Sequence, residues 1–300
     1  MRQRVISDGR VSLTVSELCL GTMYFGYRTD EQTSFAILDR FREAGGTFLD
    51  TANNYGQWHG DAGESERVIG RWLRSRRAAG EMVVATKVGA RTTVPGDPDE
   101  RNWQGLGAEA IRADAQTSLR QLGVDRLDVY YAHIDDRATP LAETIGALGE
   151  LAAAGQVGLP GYACVQQEGT YMLPQPGRGQ LNLVTEELLD YAAATGVTVL
   201  AYSPLQAGRY ARPERPLRAA YAHAGSQARL AAAGEVAGEL GATTGQVALA
   251  WLLHQDPPVI PIPGASSVAQ LDEILAAAEL KLDDATLERL DRAGRDGRAA

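Results

Sequence analysis

FLDTANNYG, residues 48–56, is the stretch from which the fold can be read. Phe48 and Leu49 form the end of a buried strand, and Asp50 stands where that strand runs out. The polar turn-forming run Thr51-Ala52-Asn53-Asn54 then leads to Tyr55 and Gly56. Two later apolar runs also end on a residue able to do chemistry: MVVATK (82–87) on Lys87 and LDVYYAH (127–133) on His133. In a (β/α)8 barrel the C-terminal ends of the strands converge on one face, which brings together residues far apart in sequence. The pattern therefore predicts one site divided among three loops and built from Asp50, Tyr55, Lys87 and His133.

The flanking sequence fits that architecture. A hairpin is expected over 2–14 around the Asp8-Gly9 turn, followed by a strand over 16–23. Helices are expected over 30–46, over 65–80 with Ser65 as cap and Gly80 as stop, over 107–123 and over 140–155. Beyond them come strands over 163–167 and 197–204 with a helix over 185–196 between, a helix over 243–256, a strand over 258–264, and closing helices over 266–279 and 283–294. The strands are short and rich in Val and Leu, as strands buried on both faces are. One βα unit repeated about eight times gives an α/β fold of the TIM-barrel type, with an N-terminal β-hairpin and a C-terminal extra helix. Residues 1–300 read as one domain. A doubly wound sheet would need GxGxxG after its first strand, where this chain has LGTMYFG.

Charge narrows the function. With 29 basic and 38 acidic residues the net charge is −9, and without a basic stripe neither nucleic acid nor an anionic membrane is an expected partner. Cys19 and Cys164, both flanked by apolar residues, are expected to be buried thiols in a reducing compartment. No apolar run approaches ~20 residues and the N-terminus has no apolar signal core, so a cytoplasmic protein is expected.

The four converging residues suit proton transfer. A phenol has a pKa near ~10, and an ammonium nearby favours the phenolate. Lys87 is expected to lower the pKa of Tyr55 in this way, Asp50 to hold Lys87 charged, and His133 to orient a substrate oxygen. Such a set can protonate a carbonyl oxygen while a cofactor delivers hydride, since none of the four carries one. A lysine Schiff base is a weaker reading, because Asp50 beside Lys87 works against a neutral amine.

The motifs LGTMYFG, FLDTANNYG, VVATKVG, LDVYYAHIDD, VLAYSPL and PVIPIPGASSVAQLDEIL, with the hairpin before them, give the chain a resemblance to the aldo-keto reductases over almost its whole length. That resemblance implies a (β/α)8 enzyme reducing aldehydes or ketones with NADPH, and a catalytic set at Asp50, Tyr55, Lys87 and His133. It implies cofactor contacts at Gly21, Thr22 and Met23 near the nicotinamide ribose and at Gln166, or its neighbour Gln167, on the carboxamide. It implies that Tyr202 stacks on the nicotinamide ring, that Ser203, Pro204, Leu205 and Gly208 cross the pyrophosphate, and that Gly264, Ala265, Ser266, Gln270 and Glu273 meet the adenosine phosphate and adenine. Tyr24, Trp58 and Trp103 fall in loops that would wall a pocket for a small carbonyl substrate. Glu168, Tyr171 and Arg178 lie in an unusual stretch without assigned roles. Some proteins on this scaffold bind nucleotide as regulatory subunits, an alternative that the complete catalytic set disfavours.

Two departures stand out. The segment after the last strand has serines and Gln270 where many members place a cation on the 2′-phosphate, so NADP is the expected cofactor and NAD is tolerated. The fifth βα unit is also short: GQVG (155–158) runs directly into LPGYACVQQ, leaving no helix. A parallel crossover usually takes about ten residues or more. The join is therefore expected to be a break, with a segment missing between Gly158 and Leu159; the alternative is a chain that truly lacks the segment, with a damaged barrel and weak cofactor binding.

Overall fold

The computed structural model describes residues 1–94, 97, 99–161, 164–174, 183–212 and 214–295, with the side chains of 164 and 165 excepted. Arg178 lies outside them. The chain divides into two compact units: residues 2–165 with 264–271, and residue 1 with 166–263 and the chain from 272 on.

The first unit opens with the expected hairpin, β1 (Gln3–Ser7) and β2 (Ser12–Ser16), paired antiparallel. Asp8 Oδ1 accepts from the backbone N–H groups of Arg10 and Val11, so the turn takes four residues. Five strand–helix repeats follow, the last without its helix: β3 (Cys19–Gly21), α1 (Glu31–Glu43), β4 (Phe48–Asp50), α2 (Glu64–Arg76), β5 (Val83–Val88), α3 (Ala108–Leu122), β6 (Leu127–Ala132), α4 (Leu141–Ala153) and β7 (Val157–Pro160). The strands form one parallel sheet in chain order, β3-β4-β5-β6-β7. The inner faces of the helices cover it. Ile37, Leu38 and Phe41 of α1 and Val68, Ile69 and Trp72 of α2 are buried, as the period-3.6 pattern requires. Gly70 lets α2 meet the end of α3, because a Cβ there would lie 2.3 Å from the Gln121 carbonyl oxygen.

Two expectations fail here. Strand β7 runs through Gly158 and Leu159, with Val157 opposite Leu127 and Leu159 opposite Val129. A ladder that keeps register across both residues requires that they be bonded, so the break between them does not exist. The fifth strand is present. Only 161–163 separate it from the next, fewer residues than one helical turn. Ser65 is not the cap of α2 either. The N-cap is Gly63 in the left-handed region (φ 82), with no side-chain cap, and Ser65 sits one residue inside the helix facing inward.

The second unit contains β8 (Cys164–Glu168, of which 164 and 165 belong to the first unit), α5 (Glu186–Thr195), β9 (Thr198–Tyr202), α6 (Ala224–Leu240), α7 (Thr244–Leu253), β10 (Val259–Ile262), α8 (Val268–Glu279, begun in the first unit) and α9 (Asp284–Arg292). Its sheet runs β10-β9-β8, with β9 and β10 parallel. Thr243 and Gln246 close a capping box on α7. Its core gathers Tyr171, Tyr221, Val236, Val247 and Leu290. Tyr171 is therefore a core residue, its hydroxyl donating to the Leu290 carbonyl at 2.8 Å. Helix α6 has no counterpart among the expected elements: three glycines and a run of alanines leave its sequence without a clear apolar stripe. Among the described residues no helix is long and apolar enough to cross a membrane.

Candidate active site

The first unit brings Asp50, Tyr55, Lys87 and His133 together. Asp50 is the last residue of β4, Lys87 the penultimate residue of β5, and His133 the residue after β6. Tyr55 arrives on the loop after β4, which is held at many points. Thr51 N donates to Ala85 O (2.9 Å), Asn54 Nδ2 and Gln57 Nε2 donate to Ala90 O (3.3 and 3.1 Å), and Glu64 N donates to Tyr55 O (3.0 Å). Asn53 Nδ2 donates to buried Asp114 Oδ2 at 2.6 Å, and Arg91 Nη2 lies 2.7 Å from the other Asp114 oxygen. Ser65 Oγ donates to Thr22 O at 2.9 Å and accepts from Thr51 Oγ1 at 2.9 Å, tying the loops after β3 and β4 together. The polar run 51–54 signalled a turn, but these partners lie too far along the chain for local reasoning to find.

Lys87 Nζ is the centre of the cluster. It donates to Asp50 Oδ2 at 2.6 Å, to Thr51 O at 2.6 Å and to Tyr55 OH at 3.0 Å, with its side chain 1% exposed. The Tyr55 and His133 rings meet edge to face at 5.7 Å between centroids. The second Asp50 oxygen, Oδ1, accepts from Tyr131, a residue the sequence did not single out.

Burial pushes the Tyr55 phenol above its ordinary value, and the charge of Lys87 recovers only part of the shift, so the expected net lowering is reversed. Tyr55 is therefore a protonated phenol at neutral pH, as a proton donor must be. Burial works against a charged Lys87, but Asp50 and then Tyr55 outweigh it and the amine is held above its usual value. His133 is pushed well below the ordinary imidazole value by burial first and by Lys87 second, so it is neutral, and its Nδ1 is buried with no partner.

Behind Lys87 lies a buried carboxylate. Glu66 accepts from Thr86 Oγ1 at 2.6 Å, and burial raises its pKa to about 7. A carboxyl raised in the folded state from 4.5 stabilises the fold fully below the unfolded value, and that contribution is lost as pH rises toward about 7. Thermal melts between pH 4.5 and 7.5 are expected to fall in this window for the wild type more than for Glu66→Gln. Superimposable slopes would contradict this.

The other expected positions divide between the units. In the first, Thr22 N and Oγ1 both donate to Asp50 O (3.0 and 2.8 Å), and Gly21 pairs with Gly264 in a parallel bridge. Met23 lies partly buried just beyond. Ser266 gives its N–H and its hydroxyl to Gln270 Oε1 (2.9 and 2.8 Å). Tyr24 packs edge to face on Tyr27 at 5.8 Å, under Arg28, and Tyr27 stacks on His59 at 4.9 Å; Tyr27, Arg28 and His59 were not foreseen. Trp58 is 42% exposed, and Trp103, half-buried, bridges to Thr92 with its Nε1 buried and unpartnered.

In the second unit, Tyr202 ends β9 partly buried, and Ser203, Gln206 and Ala207 hold φ of 54°, 48° and 56°, with Gly208 at 79°. Pro204 O accepts from Thr170 Oγ1 at 2.9 Å, and Leu205 packs on the unit's core. Glu168 is a buried structural carboxylate, held by Arg218 Nη1, Tyr221 OH and Gln206 Nε2 at 2.7–2.9 Å. Glu273 Oε1 accepts from Thr243 Oγ1 at 2.8 Å. Gln166 and Gln167 are both partly buried; the Oε1 of Gln167 has no partner.

Parallel βα repeats with chemistry at the strand ends define the class, and comparison places the chain within it. A solved aldo-keto reductase, AKR11C1 from Bacillus halodurans in its holo form, superposes with a TM-score of 0.76 at 25% identity, covering 98% of this chain and 96% of its own. The fold is a (β/α)8 barrel. The family model for the aldo/keto reductase family matches residues 17–295, and the chain belongs to that family. The uncharacterized oxidoreductase YrpG of Bacillus subtilis is 33% identical over 313 aligned positions, 94% of this chain and 93% of its own. That span exceeds the 300 residues here, so the relative has residues without counterparts in this chain. Norsolorinic acid reductase stcV of Emericella nidulans is 32% identical, over 96% of this chain and 80% of its own. Family membership makes the chain an oxidoreductase of carbonyl groups and implies a nicotinamide cofactor.

Proposed function

We propose that this chain reduces an aldehyde or ketone to the alcohol, with Tyr55 as the proton donor. The observation that carries the reading is Lys87 Nζ touching Asp50 and Tyr55 at once. When bound, a nicotinamide cofactor supplies hydride to the carbonyl carbon. Tyr55 gives its proton to the carbonyl oxygen. The ammonium of Lys87, kept charged by Asp50, stabilises the phenolate left behind. His133, neutral in its buried place, donates an N–H to the same oxygen and orients it.

Two features support a fit to the cofactor. Gln167 Oε1 is a buried amide oxygen without a partner, suited to a carboxamide N–H, and this favours it over Gln166. The left-handed residues Ser203, Gln206, Ala207 and Gly208 shape the turns of the loop that would cross the pyrophosphate. Gly21, Thr22, Met23 and Tyr202 would face the nicotinamide end, Ser203, Pro204, Leu205 and Gly208 the pyrophosphate, and Gly264, Ser266, Gln270 and Glu273 the adenosine. Tyr24, Trp58 and Trp103 would wall the substrate pocket, with Tyr27 and His59 extending the Tyr24 wall.

NADP is the proposed cofactor, with weak discrimination, because residues 264–271 hold no cation and both Ser266 donors are spent on Gln270. Steady-state assays on a panel of aldehydes, ketones and keto-sugars are expected to show turnover with both cofactors. The kcat/KM ratio of NADPH over NADH should stay under about 100, or ~3 kcal/mol of transition-state binding. A ratio above about 1,000 would mean that an unassigned cation reads the 2′-phosphate.

A further inference from the structure

We infer that Tyr131 is a positioning residue of this site: its hydroxyl fixes the Asp50 carboxylate and so sets how strongly Lys87 acts on Tyr55. The inference rests on the reading of Tyr55 as the proton donor. Three adjacent strands build the contact. Lys87 of β5 and Tyr131 of β6 are register partners, so their side chains lie side by side, and Asp50 of β4 reaches the same place from the far side of β5. The two carboxylate oxygens are divided between the two neighbours: Lys87 Nζ donates to Oδ2 and Tyr131 OH to Oδ1. Lys87 Nζ also lies over both phenol rings, 4.8 Å from the centroid of Tyr55 and 5.7 Å from that of Tyr131.

A glycine lets the chain after β7 pass close against the backbone of Tyr131. A Cβ at Gly161 would lie 2.3 Å from the Cβ of Tyr131 and 2.6 Å from its Cα. A phenylalanine at 131 would fill the same space, so packing alone gives no reason for the hydroxyl. Its chemical use is the bond to Asp50. Tyr131 does not titrate in the working range, because burial and then Asp50 push its phenol well above the ordinary value. It is a fixed donor.

The sign of its effect follows from the charges around it. The groups facing Asp50 and Tyr131 are Lys87 from β5, Tyr55 from the loop after β4, and Cys19 from β3. His133 follows β6, and Gly161, beyond β7, brings no charge. Asp50 opposes ionisation of Tyr55 and Lys87 promotes it. A donor on Oδ1 draws charge from the carboxylate, weakens its opposition and stops it from rotating away from Lys87. Without that donor, Tyr55 is a weaker acid.

The test is Tyr131→Phe, assayed as NADPH-dependent reduction of the best aldehyde from the panel, alongside Tyr55→Phe, Asp50→Asn and the Asp50→Asn/Tyr131→Phe double variant. Tyr131→Phe is expected to lower kcat about tenfold, the rate equivalent of one hydrogen bond to a charged group, with KM for cofactor and aldehyde within about twofold. The alkaline limb of its kcat profile should move to higher pH. The double variant should be no slower than Asp50→Asn alone, since the hydroxyl acts through that carboxylate. A Tyr131→Phe enzyme with the wild-type kcat and pH profile overturns the inference, whatever its melting temperature; so does a double variant whose losses multiply. If that happens while Tyr55→Phe is inactive, only the role of Tyr131 falls. If Tyr55→Phe turns over normally, the donor reading falls and the inference with it.

Discussion

Tyr55→Phe is expected to lower kcat for aldehyde reduction by about 1,000-fold while leaving NADPH binding within about twofold. The substitution keeps the ring, and with it the edge-to-face contact with His133, and removes the one hydroxyl that Lys87 Nζ meets at 3.0 Å. The ring is almost fully buried and the loop that carries it is pinned by backbone and amide hydrogen bonds. The loss should therefore fall on the chemical step. Cofactor titration by fluorescence and single-turnover rates separate the two: normal binding with slow chemistry supports the donor role, and unchanged chemistry removes it.

Lys87→Met has the other large effect, and it reaches both rate and stability. Without the ammonium, Asp50 is left as a buried carboxylate that has lost its ion-pair partner and keeps the Tyr131 hydroxyl. Uncompensated burial of that kind costs about 3–5 kcal/mol when one partner of an ion pair is removed. The melting temperature should drop by several degrees at neutral pH. The kcat should fall at least about 100-fold, because Tyr55 keeps the burial that raises its pKa and loses the charge that opposes it. A variant as stable and as active as the wild type would show that the ion pair serves neither fold nor reaction.

The four proposed residues were legible as a group because Asp50, Lys87 and His133 stand at or next to strand ends, where periodicity breaks off at a polar residue, and Tyr55 follows closely on the loop after Asp50. Asp50, Lys87 and His133 could be placed on one face by repeat architecture alone. Tyr131 was not legible, because a tyrosine inside LDVYYAH looks like any buried strand residue until its cross-strand partner is known. Ser65 read as a helix cap from local sequence, yet its hydroxyl is used on Thr22 and Thr51, residues 43 and 14 positions away. The loop after β9 carries positive φ at Ser203, Gln206 and Ala207, and nothing in those residue types signals the left-handed region. The join at Gly158–Leu159 was misread because crossover length was weighed without the strand pairing. Four residues suffice to extend the sheet beside β6.

The electrostatic balance at Tyr55 is the claim on which the chemistry turns. Burial raises its pKa, and Lys87 brings it back toward a useful range. The most direct measurement is a titration of the Tyr55 resonance in protein labelled with 13C at tyrosine Cζ, assigned by its absence in Tyr55→Phe and followed in wild type and in Lys87→Met. Tyr55 is expected to have a higher pKa in Lys87→Met than in the wild type. An equal or lower value would contradict this.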